Sequence, residues 1–203
     1  SESVKNRLVA DVPVGLFLSG GIDSSLIAYY SKKYSSNIKS FTIKMPIDSY
    51  DESGHAENVS SYLNIKNHSI LLDEKDLINS LFEIENKLDE PLNDPSIIPT
   101  YLVSKLAREQ VKVVLSGDGA DELFSGYSPF KYLNIIRILS LFPKFSGKLL
   151  YSKFRKIKRQ DNYMNILFLI TQISKGLGYN ANQQIFRWMS SFTEIDIQNI
   201  FSN

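Results

Sequence analysis

The 203-residue chain has no cysteine. That excludes a disulfide framework, a thiolate zinc site and any chemistry that needs a protein thiol. It also lacks a long hydrophobic run. No stretch reaches the ~18 apolar residues of a membrane span, and the opening SESVKNRL has no signal-peptide core, so a cytoplasmic protein with no membrane partner is expected. Histidine is scarce: His55 and His68 are the only two. They have no paired metal-ligand spacing, so neither reads as a ligand or a catalytic base.

What is present is enough apolar residue, 43% of the chain, for one well-buried domain with a helical appendage. The formal net charge of +1 hides an asymmetry. Up to Phe130 there are 12 Lys and Arg against 19 Asp and Glu, and from Lys131 onward 11 against 3. An acidic α/β body over residues 1–128 followed by a basic helical extension over 129–203 is the expected organisation.

The organising stretch is VGLFLSGGIDSSLIA, Val14 to Ala28. A strand-like run stops at Ser19-Gly20-Gly21, and a helix entered through Asp23, Ser24 and Ser25 follows. Glycines let backbone approach a ligand closely, and a helix N-terminus beyond them offers unpaired N–H groups at the positive end of a dipole. Such a turn suits an anion, above all phosphate. No lysine follows the glycines and there is no G-x-G-x-x-G, which excludes the Walker loop and the dinucleotide fingerprint. At about 7% per position, the five fixed residues of Ser-Gly-Gly-x-Asp-Ser recur by chance in roughly a few per ten thousand chains of this length.

Taken in order, the chain reads as a short helix over residues 1–11, the first strand and loop, and a helix to about Lys33. A strand at 40–45, a helix at 53–63 and a strand at 67–72 come next. A helix over 76–88, a breaker-rich segment over 89–99, a helix at 100–109 and a buried strand at 111–115 complete the body. Alternating strands and helices predict an α/β fold, a parallel Rossmann-like sheet with helices on both faces, with ligands beyond the carboxyl ends of strands at a topological switch point. If the strands ending at Leu18 and Leu115 are neighbours, one nucleotide touches both of the turns that follow them. Beyond Pro129 the pattern is helical, with apolar residues between Leu133 and Phe142 and a break at Pro143. A basic cluster over Lys153–Arg159 reads as a solvated helix face, and an apolar stretch covers Met164–Ile173.

The second turn, Ser116-Gly117-Asp118-Gly119-Ala120-Asp121-Glu122, sets three carboxylates beside the expected phosphate site. Mg²⁺ reconciles such charges, since it is commonly held by one or two carboxylates plus substrate phosphates; Asp23 and Asp121 are the candidate metal ligands. Helix capping is the plainer role for the same residues.

LFLSGGIDSSLIA, DEPLNDPSIIPTY and VKVVLSGDGADELFSGY together resemble the synthetase domain of glutamine-hydrolysing asparagine synthetases, within the N-type ATP pyrophosphatases. The match covers roughly residues 3 to 128 and weakens afterwards. The resemblance implies an adenine nucleotide alpha hydrolase-like fold and a two-step reaction. A substrate carboxylate, most simply that of aspartate, attacks ATP and releases pyrophosphate, and ammonia from glutamine then displaces AMP from the acyl-adenylate. It implies ATP and Mg²⁺ as cofactors and a glutaminase domain in the full-length chain, and it is compatible with a homodimer. By the same resemblance Ser19, Gly20, Gly21, Asp23 and Ser24 match the pyrophosphate loop. Phe17, Leu18 and Ile43 match positions next to the adenosine, Ser116 and Gly117 match nucleotide and substrate contacts, and Asp121 matches a magnesium ligand; Asp118, in the region that faces the acyl-adenylate and incoming ammonia, and Asp121 are the candidate catalytic carboxylates.

The sequence departs from the family pattern in three places. Asp118 stands where many asparagine synthetases have Glu, which leaves the acceptor open. The cysteine-led glutaminase is missing, and the later lysine- and arginine-bearing segment has no match before Asn203, so an internal fragment is expected. Two other readings remain: a tRNA-modifying ATP pyrophosphatase whose basic tail binds RNA, although SGDGADE would then be unexplained, and a non-catalytic nucleotide-binding module.

Overall fold

Strand β1 (Val14–Phe17) is an inner strand of a four-stranded parallel sheet in the computed structural model, which describes residues 1–90, 92, 94, 96–127, 130, 138–157, 166–190 and 192–201. The order is β3 (Lys66–Leu71), β2 (Lys39–Lys44), β1, β4 (Val113–Leu115). Gly15 pairs with Lys39 on one side of β1, and Leu16 pairs with Leu115 on the other.

Period-two alternation sorts the side chains of this strand between two helical layers. Leu16 and Leu18 pack with Ala28, Ile38, Ala56 and Ile65 beneath α2 (Ile22–Tyr34) and α3 (Ser53–Tyr62). Phe17 goes to the opposite layer with Phe41, Ile43, Val103, Ala107 and Val111 beneath α5 (Ile97–Arg108). The expected α/β class with a parallel sheet and helices on both faces is what the chain adopts.

Several boundaries moved for identifiable reasons. Helix α1 (Glu2–Arg7) is shorter than the residue 1–11 reading. Helix α4 (Glu74–Glu85) starts earlier than residue 76 because Asp73 caps it, accepting a hydrogen bond from the Asp76 N–H at 2.7 Å. Helix α5 begins at Ile97, upstream of the expected residue 100. Pro99 sits in its first turn, where a missing N–H and a fixed φ are tolerated, so the proline that read as a breaker belongs to the start of the helix. Strand β4 is shorter than 111–115 and is not buried: among the described strands it has a neighbour on one side only, and Val113 is 40% exposed.

The described residues divide into two compact units, Ser1–Asp118 and Gly119–Asn203. The second contains α6 (Ala120–Phe124), α7 (Lys144–Phe154), α8 (Ile166–Gly176), α9 (Ala181–Met189) and α10 (Glu194–Phe201). Polar contacts fasten these helices: in a half-buried cluster Arg155 pairs with Asp196, which also accepts from the Tyr151 hydroxyl at 2.9 Å, and at the surface Arg187 pairs with Glu194. Of the expectations for this half, residues 133–137, Lys158, Arg159, Met164 and Asn165 lie outside the described residues, as do Pro91, Asn93 and Pro95 of the breaker-rich segment. No helix among the described residues is long and apolar enough to cross a membrane.

Candidate functional site

The chain leaves β1 through a turn that only glycine accommodates. Gly20 has φ +83°, and a Cβ built there would lie 2.5 Å from the backbone nitrogen of Ala56 and the carbonyl carbon of His55. The first turn of α3 therefore walls the loop. Ser19 Oγ accepts from the Gly21 N–H at 3.2 Å and lies 3.0 Å from Ser24 Oγ, which in turn donates to the Gly21 carbonyl at 3.2 Å. The loop is thus tied down by its own hydroxyls. Gly21 precedes α2 and no side chain caps the helix. The N–H groups of its first turn, which have no carbonyl one turn back, are left for an anion.

Thr42 supports this turn from beneath. The residue is only 3% exposed, and its hydroxyl donates to the Leu18 carbonyl at 2.7 Å and lies 3.0 Å from Asn67 Oδ1. The peptide entering Ser19 is thereby fixed by a buried hydrogen bond from the neighbouring strand. Asp51 fixes the wall beside it: Oδ1 accepts from the N–H groups of Met45 and Ser53 at 3.1 and 3.2 Å, and Oδ2 from the Ser53 hydroxyl at 2.8 Å. Burial opposes the charged form of this carboxyl, but the hydrogen bonds from Met45 and Ser53 and the nearby Lys44 charge outweigh it and hold it below the usual range. Sequence reasoning missed both residues. The only signal for Asp51 was an Asp-x-Ser step at a helix start, and Thr42 looked like any β-branched strand residue.

The second turn lies against the first. β1 and β4 are hydrogen-bonded neighbours, as the two-turn expectation required, and the turns leave their carboxyl ends together. A Cβ on Gly117 would come 3.2 Å from Ser24 N and 3.2 Å from Asp23 Cβ. Ser116 donates to Asp118 Oδ2 at 2.7 Å, and the Asp118 carboxylate is exposed. β2 and β3 lie on one side of β1 and β4 on the other, so the paired turns stand where the direction of winding reverses, the place where open parallel sheets bind ligands.

The other residues singled out are placed as follows. Phe17 and Ile43 are half-buried on the α5 side. Leu18 is 2% exposed within the core, so its side chain offers no ligand surface. Asp121 belongs to α6 in the second unit, where its carboxylate folds over Gly126. Beside it, a hydrogen bond from the Tyr127 hydroxyl holds the Glu122 carboxyl below its ordinary range and pushes the tyrosine up. His68 stacks on Phe41 with ring centroids 5.5 Å apart, and its Nδ1 lies 3.0 Å from Gln110 Nε2.

Among the described residues no group of three or more His, Asp or Glu side chains could hold a metal ion by itself. Asp23 is half-buried at the loop, and no hydrogen bond or ion pair from the described residues engages its carboxylate. One free carboxylate beside a phosphate-type cradle is a donor set that fits Mg²⁺ arriving with its phosphate.

A strand, a glycine turn and an uncapped helix start at the switch point of a parallel sheet define an α/β domain with the geometry of a phosphate-type loop. The pattern of the asparagine synthase family matches residues 1–192, and the chain belongs to that family. It is 41% identical over 130 residues to "Asparagine synthetase [glutamine-hydrolyzing] 1" of Bacillus subtilis (strain 168), covering 64% of this chain and 21% of that protein. It is 30% identical over 146 residues to "Asparagine synthetase B [glutamine-hydrolyzing]" of Escherichia coli (strain K12), covering 64% and 26%. "Amidase chyE" of Penicillium rubens is 35% identical over 146 residues, covering 64% and 22%. The chain thus spans about a quarter or less of the length of these relatives.

Proposed function

We propose that this chain is the ATP-binding part of a ligase that amidates a carboxylate through an acyl-adenylate, with aspartate as the first candidate acceptor and asparagine, AMP and pyrophosphate as products. The observation that carries this reading is the contact of the two turns, Gly117 against Asp23 and Ser24. It brings an anion cradle and a second Ser-Gly turn to one spot, as a reaction between a phosphate chain and a second substrate requires.

In this reading the N–H groups at the start of α2 and the Ser19 and Ser24 hydroxyls hold the β- and γ-phosphates. They are preorganised around the leaving group, whose charge grows as the bond to the α-phosphate breaks, and fixed donors of that kind usually contribute the largest single term in catalysis. Asp23 would hold Mg²⁺, which supplies charge neutralisation for the phosphates. Phe17 and Ile43 offer apolar surface to the adenosine. Ser116 and Gly117 orient the reacting carboxylate, and Ser116 fixes Asp118 towards the same end of the sheet. Ammonia comes from glutamine by way of a glutaminase part of the longer protein, and the setting is cytoplasmic.

Calorimetric titration of the chain with MgATP tests the core of this proposal. Asp23→Ala is expected to weaken binding by about tenfold, equivalent to ~1.4 kcal/mol. Equal affinities for wild type and variant would remove the loop from the reading.

A further inference from the structure

The segment between β2 and α3, residues 45–52, leads into the helix that walls the glycine loop and has no role assigned above. One carboxylate fastens it. Asp51 joins the first residue after β2, Met45, to the first residue of α3, Ser53, through three hydrogen bonds of 2.8 to 3.2 Å. Ser53 is 2% exposed, so its hydroxyl has no easy recourse to water. Two residues further on, the His55–Ala56 backbone is the surface that would stand 2.5 Å from a Cβ on Gly20. The sequence of supports runs from Asp51 to Ser53, through the first turn of α3, to the turn at Gly20.

We infer that Asp51 is a positioning residue for the anion loop: by clamping the β2–α3 connection it fixes the wall against which Ser19–Gly21 adopts its binding conformation. It acts through α3 and needs no contact with the nucleotide. The geometry is independent of the function proposed above, and only the identity of the ligand that feels the effect rests on that reading.

The geometry also explains why a carboxylate serves here. Three donors converge on one side chain, two backbone N–H groups and a hydroxyl. Two carboxylate oxygens accept all three at once and prefer them to water because the group is charged. Asparagine in the same place keeps one acceptor oxygen and presents an NH₂ to the serine hydroxyl. It can therefore hold the two backbone donors while losing the strength of a charged acceptor.

Amide hydrogen exchange on the whole chain, wild type against Asp51→Ala and Asp51→Asn, tests the inference. In Asp51→Ala, exchange at the Gly20–Ser24 and Ser53–Ala56 amides should speed up by on the order of tenfold, while the amides of β3 and α5 keep their wild-type rates. Asp51→Asn should fall between the two. A uniform rise across the sheet would mean a merely structural role, and unchanged exchange at Gly20–Ser24 would overturn the inference. If Asp51→Ala does not fold, Ser53→Ala, which removes one of the three bonds, should show the same local pattern at smaller amplitude. In parallel, MgATP affinity should fall by about tenfold in Asp51→Ala and recover in part in Asp51→Asn. If the wild type binds no MgATP, the functional reading fails, and the exchange contrast still decides for or against Asp51.

Discussion

Gly117 lies against the first turn of α2 so closely that a Cβ on it would stand 3.2 Å from the backbone nitrogen of Ser24. That N–H is one of the donors at the helix start. Anything added at Gly117 therefore competes with the anion for the same approach. Gly117→Val should lower MgATP affinity by at least about tenfold while the cooperative unfolding of the chain persists, because the site is a surface turn and not core. Titration calorimetry beside a denaturant curve separates the two effects, and an unchanged affinity would show that the second turn stands clear of the ligand.

Two glycines in neighbouring elements should respond to alanine with opposite signs. Gly20 combines φ +83° with backbone atoms 2.5 Å from the added carbon, and backbone cannot rotate away as a side chain can. Gly20→Ala should cost about 2 kcal/mol or more. Gly54 sits in α3 with nothing within 4 Å of an added Cβ and no positive φ, so Gly54→Ala should gain ~0.5–1 kcal/mol of helix propensity. Urea unfolding of both variants checks the pair, and a shared sign would refute the account of the turn.

These two glycines also mark what sequence could and could not convey. The loop was legible because its chemistry is local: strand, glycines and helix start are consecutive residues, and so are the four strands and their order of appearance. The pairing of β1 with β4 was conditional in the sequence, since Leu16 and Leu115 are far apart in the chain and nothing local fixes which strands meet. Pro99 misled because proline ends a helix only from inside, not from its first turn. The Val111–Leu115 run read as buried, since apolar residues alone do not tell an inner strand from an edge. Asp51 was invisible for a third reason: its partners Met45 and Ser53 are set by the fold of a connection, and any surface aspartate looks the same in sequence.

The second unit offers a prediction in pH. Burial works against charge on Asp196, yet hydrogen bonds from Thr193 and Tyr151 and the Arg155 guanidinium outweigh it, so its carboxyl lies below the ordinary range. A carboxyl depressed in the folded state contributes stability that is fully present above its unfolded value of about 4 and is lost as pH falls through the folded one. Asp196→Asn should therefore destabilise at pH 7 by ~1–3 kcal/mol, since it weakens an acceptor for several half-buried donors. The gap between variant and wild type should narrow as pH drops below about 4. Thermal unfolding from pH 3 to 7 checks it, and a gap independent of pH would mean that the charge contributes nothing.

Asp118 tests which acid the full-length protein amidates. Its Oδ2 accepts from the Ser116 hydroxyl at 2.7 Å, so the carboxylate is set by the same turn that faces the first loop. Glutamate is longer by one carbon–carbon bond, roughly 1.5 Å, and cannot keep that hydrogen bond with its oxygens in the same place. In a site that depends on orientation, a displacement of about 1 Å can cost ~100-fold. If aspartate is the acceptor, the pocket around Asp118 is already built for the shorter side chain. Asp118→Glu should then slow AMP formation from aspartate and ammonia in the full-length protein by at least about tenfold. MgATP affinity should change far less, because the Ser19–Ser24 loop is untouched, so the loss should appear in kcat/KM for the acceptor. Ser116→Ala, which frees the carboxylate without lengthening it, should give a smaller loss of the same kind. An unchanged rate would end the assignment of acceptor geometry to residue 118. AMP formation by the wild type with another carboxylic acid but not with aspartate would keep the ligase reading and replace its substrate.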